Sequence, residues 1–417
     1  MADLLSRRAA SIVPDLDLPW RFALRGTYAP DTNPEGLTSF SLAENYLVQK
    51  ELQDFVKKNV SFTEQCFTYG YSTGGGPRFP KALAEHLNEY FHPWKPLDGS
   101  EIQISGAATA MHTALGWALG DPGDGILTSV PIYGRFELDF GNITQLRMVY
   151  ADTDANTSFD SGISAKFEEA LVKANAAGIK IRVLLIVNPN NPLGRCYSRQ
   201  TIVELMKFCQ KHRIHFISDE VYGCSVFNTD TESDLLGFTS ALSINPAGIL
   251  DEELLHVTYS LSKDFGAAGL RVGAVVTRSE SVHKAVKSVI RFFNPSGASI
   301  AIATAMLENR SWTKQFLAMS RERIRTAYEH VTAGLQKLGI SFIAANAGFF
   351  IYIDLSPYLN TDASMPDFEL AQRLLDAGIF LHPMEEHGRT GWFRFVYTQD
   401  PRIVDEGLRR MKKCLCL

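Results

Sequence analysis

Between about residues 60 and 300, short unbroken apolar runs alternate with amphipathic stretches. The runs are Arg182–Val187, Ile214–Ser218, His256–Ser260 and Val272–Thr277. The stretches include Pro77–Phe91 and Arg199–His212, whose apolar side chains recur at helical spacing. A strand apolar at successive positions has no polar face, so it must be covered on both sides. β-Branched runs of this length, separated by helices, predict a largely parallel sheet with helical crossovers. After residue 310 the pattern changes. A long helix is expected from Ser311, which can cap it, with Trp312, Phe316, Ile324, Val331 and Leu335 on one stripe. Strand-like Phe349–Leu355 and Trp392–Tyr397 then alternate with helices near Pro366–Ala377 and Arg402–Lys413. The fold class predicted is α/β: a mainly parallel central sheet sandwiched by helices, plus a smaller α+β domain. The first forty residues are punctuated by Pro14, Pro19, Pro30 and Pro34 and read as an arm running over another surface. The expected divisions are 1–55 for this arm, which belongs with the small domain, 56–309 for the large domain and 310–417 for the small C-terminal domain.

Composition narrows the function classes. At 417 residues, 45% hydrophobic and 21% charged, the chain is too apolar for disorder and too long for a disulfide-stapled mini-protein. Forty-one basic side chains against 46 acidic ones give a net charge of -5, so no electrostatic footprint for nucleic acid exists. No run reaches the roughly 20 apolar residues of a membrane span, and the opening MADLLSRRAA lacks the apolar stretch of a secretory signal. Cys66, Cys196, Cys209, Cys224, Cys414 and Cys416 are scattered without metal-ligand spacing; reduced thiols in a cytoplasmic protein without a metal site are expected. The ending Cys414-Leu415-Cys416-Leu417 formally satisfies a prenylation box, but no polybasic stretch precedes it, and it reads as an exposed helix end.

Three segments carry chemistry. In Ser260-Leu261-Ser262-Lys263-Asp264-Phe265-Gly266, followed by Gly269, Arg271 and Gly273, hydroxyls and a guanidinium can hold a phosphate while a lysine amine condenses with an aldehyde. Asn188-Pro189-Asn190-Asn191-Pro192 follows a buried strand, at the end where such sheets bind ligands, and can present Asn191's amide rigidly. Asp219-Glu220-Val221-Tyr222 also follows an apolar strand. A carboxylate buried there needs a cationic partner, and a protonated pyridine nitrogen is one; Tyr222 can donate to a ring oxygen. Asn191, Asp219, Tyr222, Lys263 and Arg271 occur in that order, each beside a predicted strand.

The set resembles the fold-type I pyridoxal 5′-phosphate enzymes of the class I/II aminotransferase family, and within it 1-aminocyclopropane-1-carboxylate (ACC) synthase and fungal ACC-synthase-like proteins. The likeness runs from about Asn33 to Lys413. It rests on NPEGLTSFSLAENYL (33–47), GDPGD (120–124), NPNNPLGRCYS (188–198), FISDEVY (216–222) and YSLSKDFGAAGLRVG (259–273), the last specific to that branch. The resemblance implies pyridoxal 5′-phosphate as cofactor, held in the large domain. It implies that Lys263 is the Schiff-base lysine and proton shuttle, and that Asp219 pairs with the ring nitrogen. Asn191 and Tyr222 would donate to the ring oxygen, Ser260 and Arg271 would bind the phosphate, and Tyr133 would stack on the ring. Arg394 would grip the substrate α-carboxylate, and Glu44 would lie near the substrate. It further implies a homodimer with shared active sites, to which the N-terminal arm is suited, and an amino acid as the small-molecule substrate; with the charge balance and the lack of a long apolar run, neither nucleic acid nor membrane is expected as a partner.

Three departures stand out. The glycine-rich helix start Ser105-Gly106-Ala107-Ala108-Thr109 should offer backbone N–H groups to the phosphate, but Ala108 stands where the family usually has a hydroxyl, so one phosphate bond is absent or comes from Thr109. The tyrosine that reaches the phosphate from the neighbouring subunit has two competitors, Tyr69 and Tyr71. His382-Pro383-Met384-Glu385-Glu386-His387 replaces a proline-glycine-serine loop at the substrate end. The expected reaction passes through a Cα carbanion to γ-elimination, replacement or cyclisation on S-adenosylmethionine or a similar γ-activated amino acid. The alternatives are aminotransfer between a hydrophobic or aromatic amino acid and a 2-oxo acid, and a catalytically silent regulatory homologue.

Overall fold

A computed structural model describes residues 4–14, 26–160, 162–228, 235–383 and 389–417. Its central sheet has seven strands: β1 Ile102–Ser105, β2 Gly125–Thr128, β3 Arg147–Tyr150, β4 Ile181–Val187, β5 His215–Asp219, β6 Leu255–Ser260 and β7 Gly273–Thr277. Their order is β1-β7-β6-β5-β4-β2-β3. β7 runs antiparallel to both neighbours, β1 and β6, and the other pairs are parallel. The apolar runs become β4 to β7, which are buried along nearly their whole length. Alternate side chains feed two cores. Val183, Leu185 and Val187 pack with Met111 and Leu115 of helix Ala108–Leu119. Leu184 and Ile186 pack with Ile202 and Leu205 of helix Arg199–His212 on the other face. Burying one such aliphatic side chain stabilises by roughly 1.5–3 kcal/mol, which fixes the strand register against both helical layers.

The long helix spans Arg310–Lys337 and buries Phe316, Ile324, Val331 and Leu335 as expected. Ser311 does not cap it. Asn309 does, its side chain accepting from the Trp312 N–H at 3.1 Å, because this places the helix start one residue before Ser311. A three-stranded antiparallel sheet follows, with Phe350–Asp354 between Phe342–Ile343 and Trp392–Val396. Helices Pro366–Asp376 and Pro401–Leu415 pack against it. Thr38–Ser39 pairs in parallel with Ile379–Phe380, and Phe40 stacks on Phe395 at 4.1 Å. The Pro34–Gly36 stretch of the N-terminal arm is held by its own chain: Arg410 donates to the carbonyls of Gly36 and Pro34. Residues 15–25, including Pro19, lie outside the described residues. Among the described residues no helix is long and apolar enough to cross a membrane.

Candidate active site

The reversal of β7 assembles the site. Ser105 at the end of β1 and Ser260 at the end of β6 both lie opposite Gly273 at the start of β7. The residues flanking those three positions therefore meet at one edge: Ala107 and Ala108 after β1, Ser262 and Lys263 after β6, and Arg271 before β7. With the ends of β4 and β5 they line a cavity of about 160 Å³, together with Ser41, Ala43, Thr109, His112, Tyr133, Arg135, Asp139, Asn191, Asp219, Tyr222, His382 and Arg394.

Each wall has a local cause. Ala107 has a positive φ of 88°, which turns the chain so that helix Ala108–Leu119 starts facing the cavity. Its first N–H groups lack intrahelical acceptors and suit an anion. Gly273 has no side chain for a steric reason: a Cβ there would lie 2.4 Å from the Ala107 carbonyl carbon. Ser260 caps the short helix Leu261–Asp264, accepting from the Ser262 N–H at 3.1 Å and donating to the Val272 carbonyl at 2.9 Å. That cap orients Lys263, whose Nζ donates to the Ala43 carbonyl at 2.7 Å and lies 6.0 Å from the Tyr222 ring centre. Burial, with the nearby Arg394 guanidinium, lowers the Lys263 amine from 10.5 to about 8.

On the floor, Asp219 is 5% exposed. Its Oδ1 accepts from Thr258 Oγ1 at 3.0 Å, and its Oδ2 lies 3.5 Å from His112 Nε2. Burial raises its pKa, while His112 opposes the rise. Tyr222 sits edge-on between Phe349 and Phe350, its hydroxyl pushed upward by burial and so kept protonated as a donor. On the opposite wall, Arg394 donates through Nη1 to Asn191 Oδ1 at 3.0 Å and through Nη2 to the Ser41 carbonyl at 2.6 Å. This bond turns the Asn191 carbonyl oxygen to the arginine and leaves its NH₂ group to face elsewhere.

The structure thus brings together Ala107, Ala108, Tyr133, Asn191, Asp219, Tyr222, Ser260, Lys263, Arg271 and Arg394 around one cavity. Four other expected residues stand apart from its lining. The Gly106 N–H donates to the Phe293 carbonyl. Glu44 takes a hydrogen bond from the Tyr46 hydroxyl. Tyr69 is 93% exposed, and Tyr71 is half-buried beside Cys66. Met384 to His387 of the departing loop lie outside the described residues. Sequence reasoning missed His112 and Asp139. Their signal was present: a histidine in the apolar face Met111–Leu115 and an aspartate between Phe136 and Phe140 both place a polar group where a core side chain belongs.

The residues fit pyridoxal 5′-phosphate. A buried carboxylate whose ion-pair partner among the described residues is one histidine calls for a further cation, and a helix start beside Arg271 calls for an anion. Between those two ends stand an amine for the aldehyde and aromatic rings for a flat face.

The comparisons point the same way. Residues 39–411 match the model for the aminotransferase class I and II family. The chain is 30% identical to 1-aminocyclopropane-1-carboxylate synthase of Glycine max, over 94% of its length and 83% of the relative's. It is 32% identical to a probable aminotransferase of Aspergillus oryzae, over 99% of this chain and 98% of that one. The solved aspartate aminotransferase of Thermus thermophilus with maleate superposes with a TM-score of 0.76 at 20% identity, covering 98% of this chain and 99% of that chain.

Proposed function

The chain belongs to the class I and II aminotransferase family, and from that premise we propose that it activates the Cα–H bond of an α-amino acid carrying a leaving group at Cγ, as an ACC synthase does, with S-adenosylmethionine as the model substrate. The family works with pyridoxal 5′-phosphate, and the protein is an enzyme of the transferase or lyase kind. One observation carries the finer reading. The Ser41–Asn45 segment, part of the ACC-synthase-like signature, lies directly over the reactive groups: its Ala43 carbonyl accepts from Lys263 and its Ser41 carbonyl from Arg394.

Bound here, the cofactor supplies an electron-withdrawing heteroaromatic ring that takes up the charge left when the Cα proton departs. The protein's own groups do the rest. The helix start at Ala108, with Ser260 and Arg271, would hold the phosphate; Asp219 would face the ring nitrogen; Asn191 and Tyr222 would donate to the ring oxygen. The Arg394 fork, preset by Asn191 and Ser41, grips the α-carboxylate. Lys263 Nζ takes the proton from Cα, and at about 8 its pKa leaves a useful neutral fraction near neutral pH. Glu44 stands outside the cavity lining and is held by the Tyr46 hydroxyl, and its charge reaches the site only as a long-range influence on Lys263. The sites are shared across a homodimer, a reading supported by the exposure of Tyr69 on its own chain.

Aminotransfer to a 2-oxo acid is the second reading. It is favoured by Arg135 in the cavity lining, a further guanidinium for a second carboxylate, and by the full-length likeness to a probable aminotransferase. Incubation with S-adenosylmethionine is expected to release methylthioadenosine. Glutamate formed from 2-oxoglutarate and an amino acid, without methylthioadenosine, overturns the first reading in favour of the second. A visible imine band lost in Lys263→Ala distinguishes either from a silent homologue.

A further inference from the structure

His112 is 2% exposed, with its ring packed against Phe136 and Phe140 at 5.2 and 5.3 Å between centroids. Both of its nitrogens face carboxylates. Nδ1 lies 3.0 Å from Asp139 Oδ2, and Nε2 lies 3.5 Å from Asp219 Oδ2, too long or too bent to count as a hydrogen bond. Asp139 and Asp219 are themselves 8% and 5% exposed.

A neutral imidazole has one N–H and one lone pair. With its proton on Nδ1, the Nε2 lone pair would point at a carboxylate oxygen; with the proton on Nε2, the Nδ1 lone pair would do so at hydrogen-bond distance. Either arrangement sets acceptor against acceptor inside a buried site, whereas an imidazolium satisfies both sides. The net charge agrees. Asp139, His112 and Asp219 then alternate minus, plus, minus, and a protonated ring nitrogen at Asp219 completes a neutral series of four. The other groups facing Asp219 are Thr258 from β6 and the Val221 backbone N–H, which both donate to it, and Lys263 and Tyr222 across the cavity. The two carboxylates together raise the His112 pKa against the effect of burial.

We propose that His112, held as an imidazolium by Asp139, is a positioning residue that keeps Asp219 ionised and thereby keeps the cofactor's ring nitrogen protonated. This rests on the reading that Asp219 faces that nitrogen. It also gives helix Ala108–Leu119 two duties: its first turn meets the phosphate, and the next turn sets the charge at the opposite end of the ring.

The test uses nitrogen NMR on two samples. In the apoprotein at pH 7.5, His112 is expected to carry protons on both nitrogens, and in Asp139→Asn to give one up more readily, because one of the two carboxylates that raise its pKa is gone. A neutral His112 at pH 7.5 in the wild-type apoprotein overturns the proposal, even if every variant fails to fold. In the protein loaded with ¹⁵N-labelled pyridoxal 5′-phosphate, His112→Asn and Asp139→Asn are expected to lower the ring-nitrogen pKa by at least about one unit, a tenfold change in the protonated-to-neutral ratio. If Asp219→Asn shifts the ring-nitrogen signal while His112→Asn and Asp139→Asn leave it in place, the relay is refuted and the Asp219 reading stands. If Asp219→Asn also leaves it in place, the Asp219 reading itself fails.

Discussion

A lysine amine in water stays protonated up to a pH of about 10.4, and the amine of Lys263 lacks that water. Burial and the Arg394 guanidinium both penalise its charged form, so the neutral, nucleophilic form becomes populated near pH 8 rather than above 10. The sign of the pH dependence follows: reactivity toward an electrophile rises with pH through about 8 and then levels off. Competitive acetylation of the apoprotein, read by mass spectrometry, is expected to give that midpoint for Lys263, while exposed lysines such as Lys50 titrate far higher. In Arg394→Met the midpoint moves upward without reaching the ordinary value, because burial, the larger cause, remains. A midpoint left at the ordinary lysine value in the wild type would mean that the amine is solvated and that the cavity wall is built differently. Such residue-scale chemistry was largely legible in the sequence, because Asn191, Asp219 and Lys263 each follow an apolar run that ends at the ligand-binding edge of a sheet. His112 and Asp139 were not. They lie 27 residues apart on separate helices, and only the packing of those helices brings their side chains to 3.0 Å.

Among the elements, β7 matters most and was the least readable. Its run Val272–Thr277 has the same hydrophobic pattern in either direction, so nothing in it announced that the strand runs antiparallel to its neighbours. The same blindness covers β3, whose residues are exposed or half-buried and so form no apolar run, and β1, a strand of only four residues. The reversal has a mechanical consequence at Gly273. Its missing Cβ is what lets the start of β7 touch the Ala107–Ala108 peptide, with contacts of 2.4 Å to Ala107 C and 2.7 Å to Ala108 N if a methyl were present. Backbone atoms of a sheet end and a helix start cannot swing aside as a flexible side chain can. Gly273→Ala is therefore expected to cost about 1–3 kcal/mol of stability, the usual range for overpacking, and to displace the N–H groups proposed to meet the phosphate. Thermal melting and cofactor titration should both register the change. Gly269→Ala is the matched control: nothing lies within 4 Å of its added methyl, and both measurements should stay within error of the wild type. Equal behaviour of the two variants would show that the cradle yields freely, contrary to the geometry.

At the scale of the whole molecule, one chain builds most of a cavity but leaves an expected contributor outside it. Phe62, Phe67 and Tyr69 are 50%, 81% and 93% exposed within one short stretch. Large aromatic side chains clustered on a surface favour being covered by another molecule, and a two-fold arrangement would cover both copies of the stretch at once. The two competing tyrosines differ in what their own chain already does with them. Tyr71 is half-buried beside Cys66 and Arg78, with its hydroxyl pushed toward higher pKa by burial and by Cys66. Tyr69 projects away from its own chain and so has its hydroxyl available to a neighbour. A hydrogen bond to a charged group contributes roughly 1.5–3 kcal/mol, so Tyr69→Phe is expected to weaken pyridoxal 5′-phosphate binding by about tenfold or more, while Tyr71→Phe leaves it nearly unchanged. Because the bond would cross between subunits, cofactor affinity of the wild type should also fall as the protein is diluted below its dimer dissociation constant, and the Tyr69→Phe variant should show a smaller fall. Sedimentation velocity run beside the cofactor titration links the two quantities. An affinity independent of protein concentration through dissociation would place the whole cofactor site within one chain, and a loss in Tyr71→Phe instead of Tyr69→Phe would assign the contact to the other tyrosine.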